Sequence, residues 1–83
     1  PPLEMMATGG LCLVVPNDGN VEYLNDKYNC LFYEQGNISD ALQKLELLST
    51  DKELQKELVT NGIKTVKERY WKNIEKDILN LYL

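Results

Sequence analysis

Pro2-Leu3-Glu4-Met5-Met6-Ala7-Thr8-Gly9-Gly10, running directly into Leu11-Cys12-Leu13-Val14-Val15-Pro16, decides the fold class of this chain. Proline at the head of the stretch suits a first helical turn, because its fixed φ is already helical and its missing N–H has no role there. Gly9 and Gly10 stop the helix by supplying positive φ without steric strain. Leu11 to Val15 is then an unbroken apolar run ending in β-branched residues, the pattern of a strand covered on both faces, as in a parallel sheet.

Working outward, Pro16 ends the strand and Asn17-Asp18-Gly19 reads as a turn, with Val21 to Leu24 expected to form a short helix behind it. Asn25 to Asn29 is polar and turn-rich. Cys30 to Tyr33 reads as a second short strand bounded by turn residues from Glu34 to Asn37. The pattern then becomes helical. Asn37 is placed to cap a helix with Asp40 in its first turn, and Ala41, Leu42, Leu45 and Leu48 form one apolar stripe. Thr50 with Glu53 three positions later is a capping-box signature for a second helix, with Leu54, Leu58, Ile63, Val66 and Tyr70 facing inward and Gly62 weakening or bending it. Trp71, Ile74, Ile78, Leu81 and Tyr82 continue as a third amphipathic segment after a kink near Tyr70.

Helical crossovers between strands imply parallel pairing in an open α/β layer. Two strands make a poor sheet by themselves, so further strands are expected upstream of Pro1.

Composition narrows the function. Nine Lys and Arg against 13 Asp and Glu give a net charge of −4, so there is no electrostatic basis for nucleic-acid binding. Lys and Glu alternate from Lys52 to Lys76, as on a solvated helix face. The apolar run Leu11 to Val15 falls far short of the roughly 20 residues that span a bilayer, and the N-terminus lacks a basic signal-peptide start, so a soluble, cytoplasmic setting is expected. With no histidine in the chain and no C-x-x-C spacing, Cys12 and Cys30 read as buried free thiols and no metal site is expected.

The stretch Pro2 to Gly10 with its following strand resembles the signature of retaining glycosyltransferases of the GT-B fold, the glycosyl transferases group 1 family. Such enzymes carry two glutamates separated by seven residues, the second opening a helix of the form Glu-Ala-x-Ala-x-Gly before a Pro-Val-Val strand. Glu4 matches the second; the first would fall before Pro1. Asn17 to Leu24 resembles the following loop and short helix, and Asn29-Cys30-Leu31-Phe32-Tyr33 is similar to the Asn-Gly-Leu-Leu-Val strand. Asn37 to Lys44 resembles the next helix, and Arg69-Tyr70-Trp71 the aromatic junction into the closing helix, which in such enzymes crosses back towards the N-terminal domain. Cys12 stands where proline is usual and Cys30 where glycine is usual.

The resemblance implies an α/β chain: the C-terminal part of a Rossmann-like GT-B donor-binding domain, with short parallel strands flanked by helices and a helical C-terminal half. Residues 1–83 are then one partial nucleotide-sugar-binding domain, with strand and helix units in 1–36 and a helical tail in 37–83. It implies transfer of a sugar from a nucleotide-sugar to an acceptor, with retention and without a required metal or other cofactor. The base, sugar and acceptor stay open. Glu4 is expected to hold the nucleotide ribose, and Leu3 to pack near the nucleotide and present its N–H. A carboxylate at a helix start can accept two hydroxyls at once, and the N–H groups there suit a diphosphate. Taken alone, Glu4 reads more readily as an ordinary helix-start acid.

No catalytic residue is assigned to this chain, since the basic groups and the acceptor domain would lie upstream. The isolated 83 residues are expected to be inactive and to bind donor poorly. Apolar faces around Leu11 to Val15 and on the last helix would stay exposed or be covered by another copy. Tyr70, Trp71 and Tyr82 read as core or interdomain packing residues. Asp18 and Asn20, at the carboxyl end of the first strand, serve either a ligand or the turn. Two alternatives remain open at this point: a self-contained helical interaction module built on residues 37–83, and a sugar-nucleotide epimerase of the same overall fold.

Overall fold

The computed structural model describes residues 2–82, with side-chain environments for residues 2–77. Helix α1 (Pro2–Ala7) leads to strand β1 (Leu13–Val14), strand β2 (Leu31–Phe32), helix α2 (Ile38–Thr50) and helix α3 (Lys52–Tyr82). The strands are parallel, with Leu13 opposite Leu31 and Val14 opposite Phe32. The short parallel pair and the helices make a mixed α/β arrangement.

Glycine ends α1 as its backbone demands. Gly9 takes φ +79°. Its N–H donates to the Met6 carbonyl at 3.1 Å, while the Gly10 N–H reaches back to the Met5 carbonyl at 2.8 Å. These two bonds are the paired closure of a Schellman motif.

Both strands are shorter than the apolar runs that announce them. The ladder proper spans two residues in each, although the Leu31 N–H still donates to the Cys12 carbonyl and the Tyr33 N–H to the Val14 carbonyl, both at 3.0 Å. Cys30 makes a separate bridge to Asp26. The expected helix at Val21 to Leu24 is a series of turns. The N–H groups of Val21 and Leu24 each reach a carbonyl four residues back, Asn17 and Asn20, without propagating into a helix.

Asn37 caps α2 as read from the sequence, its Oδ1 accepting the Asp40 N–H at 2.9 Å. The next cap differs. Asp51, not Thr50, opens α3: its carboxylate accepts the Leu54 N–H at 3.0 Å, whereas Thr50 lies in the last turn of α2 with its hydroxyl on the Glu46 carbonyl at 2.8 Å. α3 runs 31 residues without a break at Gly62 or Tyr70, so the two expected segments are one helix. Gly62 is there for close approach, since a Cβ on it would stand 3.1 Å from Met6 Cγ.

The core has two clusters. Met6, Cys12, Leu24 and Cys30 pack with Val14, Phe32 and Val66. Leu31, Leu48 and Leu58 pack with Leu11, Leu13 and Leu54. Because side chains alternate along a strand, the two clusters lie on opposite faces of the pair, and α3 contributes to both. The α2 stripe is only partly used: Leu48 is buried, but Leu42 is 59% and Leu45 54% exposed. Tyr70 and Trp71 are also exposed, at 62% and 61%, so neither packs into the core of this chain, contrary to the inward facing expected of Tyr70. Ile74 is half-buried. The inward positions expected of Ile78, Leu81 and Tyr82 fall outside the described side-chain environments.

Candidate functional site

Glu4 is the third residue of α1 and lies in its first turn. Its side chain is exposed, and among the described residues its carboxylate has no hydrogen-bond or ion-pair partner. Leu3, beside it, is half-buried. The first backbone donors of a helix lack intrahelical partners, and with Pro2 having none to offer, those of Leu3, Glu4 and Met5 head this one. Six residues align few peptide dipoles, so the mouth of α1 attracts an anion only weakly on its own.

What holds α1 in place is Met6. It is 1% exposed and seats against Gly62 and Val66 of α3. The Cys12 thiol also reaches the Pro2 carbonyl, at 3.7 Å. Below the helix is an open hollow of about 230 Å³ lined by Pro2, Met5, Leu11, Cys12, Leu13 and Val14, along β1. Glu4 and Leu3 do not line it.

The residues after β1 serve the turn. Asn17 Oδ1 accepts the N–H groups of Gly19 and Asn20 at 2.9 and 3.0 Å. Asn20 returns the bond through its own Oδ1 to the Asn17 N–H at 2.8 Å, and its Nδ2 donates to the Val15 carbonyl at 3.2 Å. Asp18 is exposed. Turn chemistry accounts for Asn20, and the structure does not bring Asp18 or Asn20 together with Glu4 in any one pocket among the described residues.

A second constellation escaped the sequence reading. Asn29 is the one buried polar residue among the described residues, 2% exposed. Its Oδ1 accepts the Asn25 N–H at 2.9 Å, and its Nδ2 donates to the Tyr23 carbonyl at 2.8 Å and to the Thr65 hydroxyl at 2.9 Å. Beside it, the Arg69 guanidinium lies 4.8 Å from the Tyr23 ring centre and 3.7 Å from a Glu22 oxygen. A polar cleft of about 290 Å³ opens here, lined in part by Glu22, Tyr23, Tyr28, Thr65, Arg69 and Asn73. The available signal was an amide placed directly before an apolar run, where its side chain is drawn into the core with the strand.

The two cysteines are buried and free, as expected. Burial pushes the Cys12 thiol above its ordinary value. Burial, with added repulsion from Asp26 and Cys12, pushes Cys30 from 9.0 up to about 12. While α1 stays packed, neither is open to a reagent, since attack needs an accessible thiolate. Among the described residues there is no group of three or more His, Cys, Asp or Glu side chains arranged to hold a metal ion, and no helix long and apolar enough to cross a membrane.

The sequence profile of glycosyl transferases group 1 matches residues 1–65, from the start of the chain into the middle of α3, and the chain therefore belongs to the glycosyl transferases group 1 family. The chemistry this assigns is glycosyl transfer in general. The match includes Leu3 and Glu4 and ends before Arg69-Tyr70-Trp71. No curated protein and no solved structure matches the chain.

Proposed function

We propose that this chain is the C-terminal part of the donor-binding domain of a retaining, GT-B-type glycosyltransferase that uses a nucleotide-sugar. The family match across α1 carries the reading. In it, the Glu4 carboxylate accepts both hydroxyls of the nucleotide ribose, a charge-assisted, two-point contact matched to a vicinal diol. The N–H groups of Leu3 and its neighbours turn towards the diphosphate. The exposure of Glu4 and its lack of a partner among the described residues support this role, since a carboxylate already engaged within the fold would have to be released first.

Catalysis falls to groups outside this chain. A departing nucleoside diphosphate needs pre-aimed positive charge in a dry cleft, and the short mouth of α1 supplies little. The isolated chain therefore binds donor poorly and transfers no sugar. The exposed Leu42, Leu45, Tyr70 and Trp71 support the further reading that these surfaces meet other parts of a larger enzyme or, in isolation, another copy. Sedimentation separates that from a self-sufficient helical module: the first gives mass rising with concentration, the second a monomer throughout.

The test of the activity is a transfer assay on the complete gene product with a panel of nucleotide-sugars, the product anomer being read by NMR. Transfer with retention is expected. Transfer with inversion, or turnover by the 83-residue chain alone, contradicts the proposal.

A further inference from the structure

Cys12 and Cys30 stand opposite each other across the parallel pair. Leu13 is the register partner of Leu31, and one step back along both strands the partners are the two cysteines. The Leu31 N–H donates to the Cys12 carbonyl at 3.0 Å, so the backbones are still joined at this level. Both side chains also point the same way: Cys12 and Cys30 share a cluster with Val14 and Phe32, while Leu11, Leu13 and Leu31 fill the opposite face. Neighbouring strands run about 4.7–4.9 Å apart, within the roughly 4.4–6.8 Å separation of Cα atoms that a disulfide bridges.

At present the thiols are parted. Cys12 donates to the Pro2 carbonyl at 3.7 Å and Cys30 to the Asn25 carbonyl at 3.6 Å. Both side chains lie in the one cluster that Met6 of α1 closes. Strand spacing sits at or beyond the upper end of the roughly 3.5–4.5 Å that disulfides prefer between Cβ atoms. A bond formed here is thus under tension and easily reversed.

We propose that Cys12 and Cys30 form a reversible dithiol–disulfide pair, closed by a small disulfide of the oxidised-glutathione class. One cysteine thiolate attacks a sulfur of the small disulfide, breaking its S–S bond, expelling one thiolate and leaving a mixed disulfide. The second cysteine thiolate attacks the protein sulfur of that mixed disulfide, makes the Cys12–Cys30 bond and expels the second small thiolate. The two cysteines lose two electrons, the small disulfide gains two, and the two protons end on the released thiols. Both thiols are buried, so attack waits for α1, the shortest helix, to lift Met6 away. Closure takes the Cys12 thiol off the Pro2 carbonyl and so removes a tie to the helix that bears Glu4. The pairing itself depends only on the strand register and holds whatever the donor site binds.

The test equilibrates the 83-residue chain with graded mixtures of reduced and oxidised glutathione, followed by acid quenching and mass spectrometry. The ratio of internal disulfide to mixed disulfide gives the effective concentration of one thiol at the other. It is expected to be at least about tenfold higher in native buffer than in concentrated guanidinium chloride, as for groups the fold holds together. Cys12→Ser and Cys30→Ser are each expected to stop at the mixed disulfide, and the oxidised chain to keep its helical circular dichroism. Equal ratios in the two solvents, disulfides linking separate chains, or loss of helix on oxidation overturn the proposal.

Discussion

Asn29 donates from Nδ2 to the Thr65 hydroxyl at 2.9 Å, fastening the loop that precedes β2 to the middle of α3. The hydroxyl passes the bond on to the Asn61 carbonyl, also at 2.9 Å. A buried amide with all its bonds made steadies the fold; with one partner removed, the rest become a cost.

Asn29→Ala leaves the Asn25 N–H and the Tyr23 carbonyl without their side-chain partner, with the Thr65 hydroxyl losing its donor. Each such group costs about 1–3 kcal/mol when it stays dry. Denaturant unfolding is expected to show a loss of about 2–4 kcal/mol, against about 1 kcal/mol for Thr65→Val. A loss for Asn29→Ala no larger than that for Thr65→Val would show that water replaces the amide.

The start of α3 is a direct contest between two residues. Removing the cap in Asp51→Ala is expected to cost about 1 kcal/mol, within the range for lost N-caps, whereas Thr50→Ala should change stability by less than about 0.5 kcal/mol. Thermal unfolding of both variants decides it, and the reverse order restores Thr50 as the cap.

At an exposed helical site, Gly→Ala stabilises by about 1 kcal/mol. Gly62→Ala is expected to forfeit that gain, because the new methyl meets Met6 at 3.1 Å and Met6 is enclosed. Combining it with the smaller Met6→Ala should recover about 1 kcal/mol relative to simple addition of the two effects. Additive effects in the double-mutant cycle would mean that α1 and α3 do not press together there.

Cys30 supplies a pH dependence. Its folded value, about 12, lies above the ordinary 9.0, so the native state binds the proton more tightly than the unfolded chain does. The associated stability is complete below about pH 9 and is lost as the pH climbs towards 12. Cys30→Ala should flatten this alkaline slope, which amounts to at most about 1.4 kcal/mol per pH unit for one group. Unfolding curves at several alkaline pH values test it, and an unchanged slope in the variant assigns the effect to groups other than Cys30.

Local rules made much of this fold readable. Pro2, Gly9 and Asn37 act through their own backbone geometry or a partner three residues away, and each does what its type dictates. Thr50 and Asp51 are both able to accept an N–H three residues on, and only the chain path determines which one lies outside the helix. The strands are shorter than their apolar runs because such a run records burial, whereas a ladder needs a partner within reach. Tyr70 and Trp71 follow the helical period, yet α3 carries them to positions where they are exposed, and periodicity cannot say where the core stops. Asn29 and the facing cysteines depend on register and on α3, far away in sequence. Glu4 is legible as a first-turn acid because Pro2 sets where α1 begins, and the family match covers it.

The most direct measurement of the account is donor saturation kinetics in the complete enzyme with Glu4→Gln, using a nucleotide-sugar and its deoxyribose counterpart. Loss of a two-point charged contact worth about 1.5–3 kcal/mol predicts a rise in donor KM of about 10- to 100-fold. The substitution should also erase most of the preference for the ribose donor. An unchanged KM, with the ribose preference intact, contradicts the claim that α1 holds the nucleotide.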